Sequence, residues 1–223
     1  IASCKHMIHA QLNRIDTIDS GELRRYIDRI IELLNSEQIA DLENNISSYT
    51  DRIRGKIIAM QAEYCENQFF KMIEQGKIVC NPSFAFKEII SPLENTSSIS
   101  KSLYTAEEGS MNDFEYNAIT AIAALSNVKW WHRNIPRNEF CINGFVNHYP
   151  DFIIMTKSGR IVLVETKGDY LENEETKQKI KLGRAWQNAT PDAFRYYMVF
   201  QHRDLHIANS YHFDAFMDII KEL

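Results

Sequence analysis

The sequence predicts an α/β protein in which a mixed sheet flanked by helices follows a helical region. Three observations predict it. Apolar residues recur at three- and four-residue spacings through the first third of the chain. Two unbroken apolar runs, Phe152 to Met155 and Ile161 to Val164, flank a Ser158-Gly159 turn. After Met111 the pattern reads helix, three strands, helix, strand, an order that builds a mixed sheet.

The early segment "GELRRYIDRIIELLNSEQIADLENNISSYTDRI" places Leu23, Ile27, Ile30, Ile31 and Leu34 on one stripe, and "KIIAMQAEYCENQFFKMIEQG" extends the pattern to a helix stop at Gly76. A helical hairpin or small bundle follows. Its cations Arg24, Arg25, Arg29, Arg52 and Arg54 are interleaved with Glu22, Asp28 and Glu32, so they read as a solvated face before they read as a DNA-binding one. From Asn81 to Met111 two prolines and a serine-rich patch mark a connector, with one short strand expected at Phe84 to Ile89. The division expected is residues 1–100 as a helical region with connector and 101–223 as the α/β domain.

In the second part, Phe114, Ala118, Ile122 and Leu125 define a helix from about Asp113 to Ser126, with Asn112 or Asp113 able to cap it. "NVKWWHRNI" reads as a strand, and adjacent Trp130 and Trp131 face opposite ways, with packing the favoured role for both. After the central hairpin come a charged helix "ENEETKQKIKLGRAWQNA", a strand "AFRYYMVFQ" and a last helix "YHFDAFMDIIKEL".

Composition narrows the function classes. The 223 residues carry a net charge of -5, so no global field draws nucleic acid, and any phosphate contact needs a local basic patch or a metal ion. Four cysteines lie far apart without CxxC spacing, which excludes a disulfide framework or zinc motif and fits a reducing cytoplasm. No apolar run reaches membrane-spanning length. There is no GxxxxGK[ST] phosphate loop. The chain begins at Ile1 rather than Met, as a piece of a longer polypeptide does.

Charge concentrates at the ends of the buried hairpin: Pro150-Asp151 opens it and Glu165-Thr166-Lys167-Gly168 closes it. The turn decides which side chains meet. A two-residue loop sets Asp151 opposite Thr166, whereas a three-residue loop with Gly159 in the left-handed conformation sets Asp151 opposite Glu165. In the second register Asp151, Glu165 and Lys167 share a face. Two close carboxylates then need a compensating cation, for which magnesium is suited: it takes one or two carboxylates, waters and phosphate oxygens. Lys167 could hold or deprotonate an attacking water, or offset charge on a phosphate. An Asp/Glu/Lys triple at a sheet rim is also what an ordinary salt bridge looks like. The combination with Pro-Asp and the hairpin spacing favours the catalytic reading.

These residues resemble the PD-(D/E)XK nuclease superfamily. The wider context, "KSLYTAEEGSMNDFE", "NVKWWHRN", "NGFVNHYPDF" and "VLVETKG", is similar to the C-terminal endonuclease domain of the restriction subunit of type III restriction enzymes over about Ser102 to Gln201. The resemblance implies a restriction-endonuclease-like core and a Mg2+-dependent endonuclease acting on double-stranded DNA, with Mn2+ able to substitute. It implies metal ligation by Asp151, Glu165 and the backbone carbonyl of Thr166, with Glu115 on the preceding helix completing the shell and Lys167 acting on water. Glu115 also reads simply as a first-turn acid favoured by the helix dipole, and Asp113 and Glu107 are less well placed. The implied partners are an upstream helicase/ATPase region of the same polypeptide and a methyltransferase modification subunit.

Further DNA contacts are expected at Arg133, which could equally pair with an acid, and along Lys177, Lys181 and Arg184, a stripe that could equally be solvated and that Glu172, Glu174 and Glu175 dilute. Lys181 or Gln187 is expected to support the active site, and His148 to be a loop or supporting residue. Two other readings stand beside this one: a repair or recombination nuclease of the same superfamily, and a non-catalytic DNA- or partner-binding module with the triad as a residual salt bridge.

Overall fold

The computed structural model describes residues 2–12, 15, 17–92, 94, 99–169 and 173–223. The chain divides into two units, Ile1–Phe70 and Lys71–Leu223. The first unit is built from α1 (Ala2–Leu12), α2 (Ser20–Glu32), α3 (Ser36–Asn44) and most of α4 (Ile46–Glu74). Asp19 caps α2 by accepting from the Gly21 and Glu22 amides, and Asn35 with Gln38 forms a reciprocal capping box at α3. The expected stripe does pack: Leu23, Ile27 and Ile31 join Cys4, Ile8, Leu12, Leu42, Ile53 and Ile57 in one core, with Ile30 and Leu34 at its margin. The cations stay largely in water, with Arg25 paired to Glu22 and Arg54 to Asp51.

The second unit centres on a five-stranded sheet ordered β1-β4-β5-β6-β7. Its elements are α5 (Asp113–Ala124), β1 (Val128–Arg133), β2 (Ile142–Asn143), β3 (Asn147–His148), β4 (Phe152–Thr156), β5 (Ile161–Lys167), α6 (Glu174–Ala189), β6 (Phe194–Phe200), β7 (Ser210–His212) and α7 (Phe213–Lys221). The pairs β1/β4 and β4/β5 are antiparallel, while β5/β6 and β6/β7 are parallel. The mixed α/β architecture read from the sequence is therefore the one observed. β4 and β5 are buried almost throughout, as continuous apolar runs require of central strands. On one face Trp131, Phe152, Ile154, Val162 and Val164 pack with Ile119 and Ile122 of α5 and Phe216 and Ile220 of α7. On the other, Met198 and Phe200 pack with Ile180 of α6.

Three expectations need correction. The segment at Phe84 to Ile89 is not a strand. Phe84 instead stacks on Phe140 at 4.6 Å between ring centroids, and Phe86 meets the Trp130 ring edge-on at 5.4 Å. Those rings dock by dispersion rather than by a backbone ladder. The ladder edge of β1 is occupied by residues just downstream, where Leu103 donates to the Trp131 carbonyl and Trp131 donates back to Lys101. Secondly, the boundary lies after Phe70, inside α4, rather than near residue 100, because those aromatic contacts tie the connector to the sheet. Thirdly, the hairpin β2/β3 and the short strand β7 join the expected elements; at two and three residues each they carry no readable period.

Candidate active site

The turn between β4 and β5 settles the register. Thr156 N–H donates to the Arg160 carbonyl at 2.9 Å, the Arg160 amide donates to Thr156 Oγ1, and Gly159 adopts φ +88. This is the three-residue loop, with a left-handed position that glycine fills without a steric penalty. Ladder pairs run from Met155 opposite Ile161 to Phe152 opposite Val164. One step further, at the end of the ladder, Asp151 stands across from Glu165. Strand alternation sets Glu165 and Lys167 on the α6 side of the sheet.

Asp151 sits just before β4, where its Oδ2 accepts from both the Thr166 amide and the Thr166 hydroxyl at 2.7 Å. In an extended strand the amide and carbonyl of one residue point to the same side, so the Thr166 carbonyl faces the Asp151 edge. Glu165 is buried at 3% exposure. Its Oε1 holds Lys167 Nζ at 2.5 Å, and its Oε2 is buried without a hydrogen-bond partner among the described residues.

The electrostatics follow from that geometry. Burial pushes the Glu165 carboxyl up, Asp151 adds repulsion, and Lys167 and Lys179 only partly offset them, so its pKa rises to about 8. Burial raises Asp151 as well, opposed by the two Thr166 hydrogen bonds, with the Glu115 charge raising it further. Burial alone would lower Lys167, yet Glu165 and Asp151 outweigh it and hold the amine as an ammonium. The strand end thus carries two carboxylates that resist being charged together and one cation that meets only one of them.

Glu115 departs from its expected placement. It caps α5 with Asn112, whose side-chain amide donates to it at 2.7 Å, and its Oε2 takes Arg133 Nη1 at 3.0 Å. Glu115 therefore belongs to the α5 side of the sheet, close enough to Asp151 to be felt as charge. Among the described residues no group of three or more His, Cys, Asp or Glu is arranged to hold a metal. Asp151, Glu165 and the Thr166 carbonyl still suit magnesium, which needs only one or two carboxylates beside waters and substrate oxygens, and the orphaned Glu165 Oε2 is a lone pair without a donor. Of the two readings of Arg133, the acid pair is the one formed.

Gln187 is not at the site. Its Oε1 accepts from the Tyr196 amide and from Asn209 Nδ2, which locks α6 to β6 and to the loop before β7. Lys181 is exposed, Arg184 half-buried, and Lys177 pairs with Glu174 at 3.0 Å; Glu172 lies outside the described residues. The lysine of α6 that acts on the acids is Lys179, which pairs with Glu175 at 2.7 Å and lowers the pKa of Glu165. Its signal was legible: Lys179 precedes Leu182 by three and Trp186 by seven, on the buried face of the helix.

His148 proves to be a fully buried residue of β3, bonded to the Tyr196 hydroxyl at 2.9 Å. Desolvation, with Lys179 and Lys167 nearby, pushes its pKa down to about 3 and keeps the imidazole neutral. The ring of Tyr196 lies where a Cβ on Gly183 would be, 2.2 Å away, so only glycine lets the helix approach. Below the site, then, Gly183, Tyr196 and His148 form a neutral packed floor.

No protein-family model, curated protein or solved structure matches the chain.

Proposed function

We propose that the second unit is a Mg2+-dependent endonuclease that hydrolyses phosphodiester bonds of double-stranded DNA. The observation that carries this reading is the end of the β4–β5 hairpin, where Asp151 and Glu165 stand across from each other with one Glu165 oxygen buried and unpartnered among the described residues and Lys167 two residues on. Asp151, Glu165 and the Thr166 carbonyl would hold the ion. A bound magnesium ion supplies a Lewis acid for the phosphate and lowers the pKa of a coordinated water. Thr166 fixes the Asp151 carboxylate by two hydrogen bonds, leaving its other oxygen to ligate. Lys167, held as an ammonium, donates to the attacking water or to a phosphate oxygen as negative charge builds there, and in that state it is not a general base. The resemblance of the sequence supports placing this unit in a type III restriction enzyme, attached to a helicase/ATPase region and served by a modification subunit.

A binding role for the first unit has an observation of its own. Ile18, Leu23, Tyr26, Ile57, Met60 and Tyr64 line an apolar cavity of about 310 Å³ among its helices, which suits contact with another protein segment.

The test is calorimetric titration with Mg2+ together with cleavage of supercoiled plasmid. Wild type should bind one ion in the micromolar to millimolar range and cut, and Asp151→Asn should do neither while keeping its circular dichroism spectrum. Metal binding that survives Asp151→Asn and Glu165→Gln together would place the ion elsewhere and sink the proposal.

A further inference from the structure

The ion pair between Glu115 and Arg133 bears on how the site takes its substrate. Arg133 ends β1 at the same end of the sheet as the acids: it is opposite Phe152 in the ladder and shares the α5 side with Glu115, and the next amide, that of Asn134, donates to the Asp151 carbonyl at 2.9 Å. The two side chains are only 15% and 16% exposed, so their attraction is little screened. Yet the pairing is incomplete. Arg133 meets the carboxylate through Nη1, and its Nε is buried without a partner among the described residues. A guanidinium fork engages carboxylate or phosphate best through two parallel bonds, and an unpartnered buried donor is costly.

Charge counting shows what the pair is suited to. Asp151, Glu165 and Glu115 set three potential negative charges against Lys167 and Arg133. A divalent ion on the fully ionised acids leaves one positive charge in excess, which matches the single negative charge of a phosphodiester. The same change weakens the hold of Glu115 on Arg133, since the carboxylate is now drawn toward the acids it formerly repelled.

We propose that Arg133 is a phosphate-binding residue for the DNA substrate, held in reserve by Glu115 until the metal site fills. Glu115 is its keeper in the metal-free protein and turns toward the metal-bearing acids afterwards, freeing the guanidinium fork for a backbone phosphate. Metal and DNA then bind cooperatively, because one ion pair is exchanged for two new contacts. The inference rests on the nuclease reading above and adds the coupling between its metal and its substrate.

The experiment measures binding rather than cleavage. In a Lys167→Ala background, which slows turnover below the time of the measurement, the affinity for a 20-bp DNA duplex is measured by fluorescence anisotropy with and without Mg2+ across salt concentrations, and Mg2+ affinity is measured by calorimetry. Mg2+ should tighten duplex binding about fivefold or more. Arg133→Ala should abolish that gain, tighten Mg2+ binding by releasing Glu115, and lower the salt slope by about one. Glu115→Gln should strengthen duplex binding without Mg2+ and weaken Mg2+ binding. Arg133→Lys, which keeps the charge but loses the fork, should restore only part of the gain. A purely structural ion pair gives none of these shifts: Arg133→Ala and Glu115→Gln both lose stability and neither changes the Mg2+ effect on DNA, which overturns the exchange while leaving the nuclease reading intact. Absence of any Mg2+ binding by the parent protein overturns both.

Discussion

The second unit contains two buried clusters of the same make-up, each with two carboxylates and one basic side chain, and they differ in how the charge is met. At His132 the imidazole lies between the acids, with Nδ1 2.9 Å from Glu107 and Nε2 2.9 Å from Glu139. Burial alone would depress its pKa, but the two carboxylates overcome that and hold it up at about 9. Ser102 donates to Glu107 and the Ile135 amide to Glu139, so each carboxylate has a further donor besides the imidazole beside it. At the hairpin end, among the described residues, Lys167 pairs with Glu165, Asp151 relies on neutral donors from Thr166, and one Glu165 oxygen has no donor. The first cluster is a clasp that ties residues 102–107 and 135–139 to β1. The second leaves a carboxylate oxygen without a donor among the described residues, and that oxygen is where the proposed ion would be held.

The comparison can be broken most severely at the clasp. His132→Ala leaves Glu107 and Glu139 buried without their counter-ion, and should cost about 3–5 kcal/mol in denaturant unfolding, with Mg2+ affinity of the surviving folded protein unchanged. At the hairpin end, Lys167→Ala should reduce Mg2+-dependent plasmid nicking about 10²–10³-fold with a smaller loss of melting temperature than at the clasp, because Glu165, already pushed up to about 8, stays protonated when its partner is removed. Gly183→Ala should cost about 1–3 kcal/mol by driving Tyr196 from its seat, and should remove the nuclear magnetic resonance signature of a neutral His148 at pH 5.

The pH dependence of stability sharpens the contrast. The folded pKa of Glu165 is raised, so its contribution to stability is complete below its unfolded value near 4.5 and is lost as pH rises toward 8. Metal-free protein should therefore lose stability over that window, by at most about 1.4 kcal/mol per pH unit from this group. Glu165→Gln should flatten the slope, and Mg2+ should restore stability at pH 8 by holding the carboxylate charged. The clasp loses its contribution later, between about pH 6.5 and 9, as His132 deprotonates. A melting-temperature series from pH 5 to 9 in both variants separates the two. If Glu165→Gln leaves the lower window unchanged, the carboxyl is not held protonated.

Much of the hairpin was legible because its information is local. Apolar runs, the Ser158-Gly159 turn and charges at both ends stand in one stretch of twenty residues, and the caps at Asp19, Asn35 and Asn112 lie within four residues of the amides they serve. Phe84 and Phe86 misled because alternating aromatics fit a strand and an aromatic dock equally well. Gln187 was placed near the chemistry by helix position, but one turn past Arg184 it faces Tyr196 and Asn209 instead.

The sequence by itself determined the order of α5, β1, β4, β5, α6, β6 and α7, the buried character of β4 and β5, and the presence of Asp151, Glu165 and Lys167 at their ends, since periodicity and turn chemistry act between near neighbours. Which turn would form stayed open, because both loops satisfy local rules. The tertiary structure decided it: with Val162 and Val164 committed to the α5 side, a one-residue slip of β4 against them would reverse which of its own side chains face that core. Only the tertiary structure joined Arg133 to Glu115 and His132 to Glu107 and Glu139, pairs made by sheet packing between residues too distant for any sequence period to connect. It also left Glu165 Oε2 without a partner, because burial and hydrogen bonding are properties of the whole packed unit.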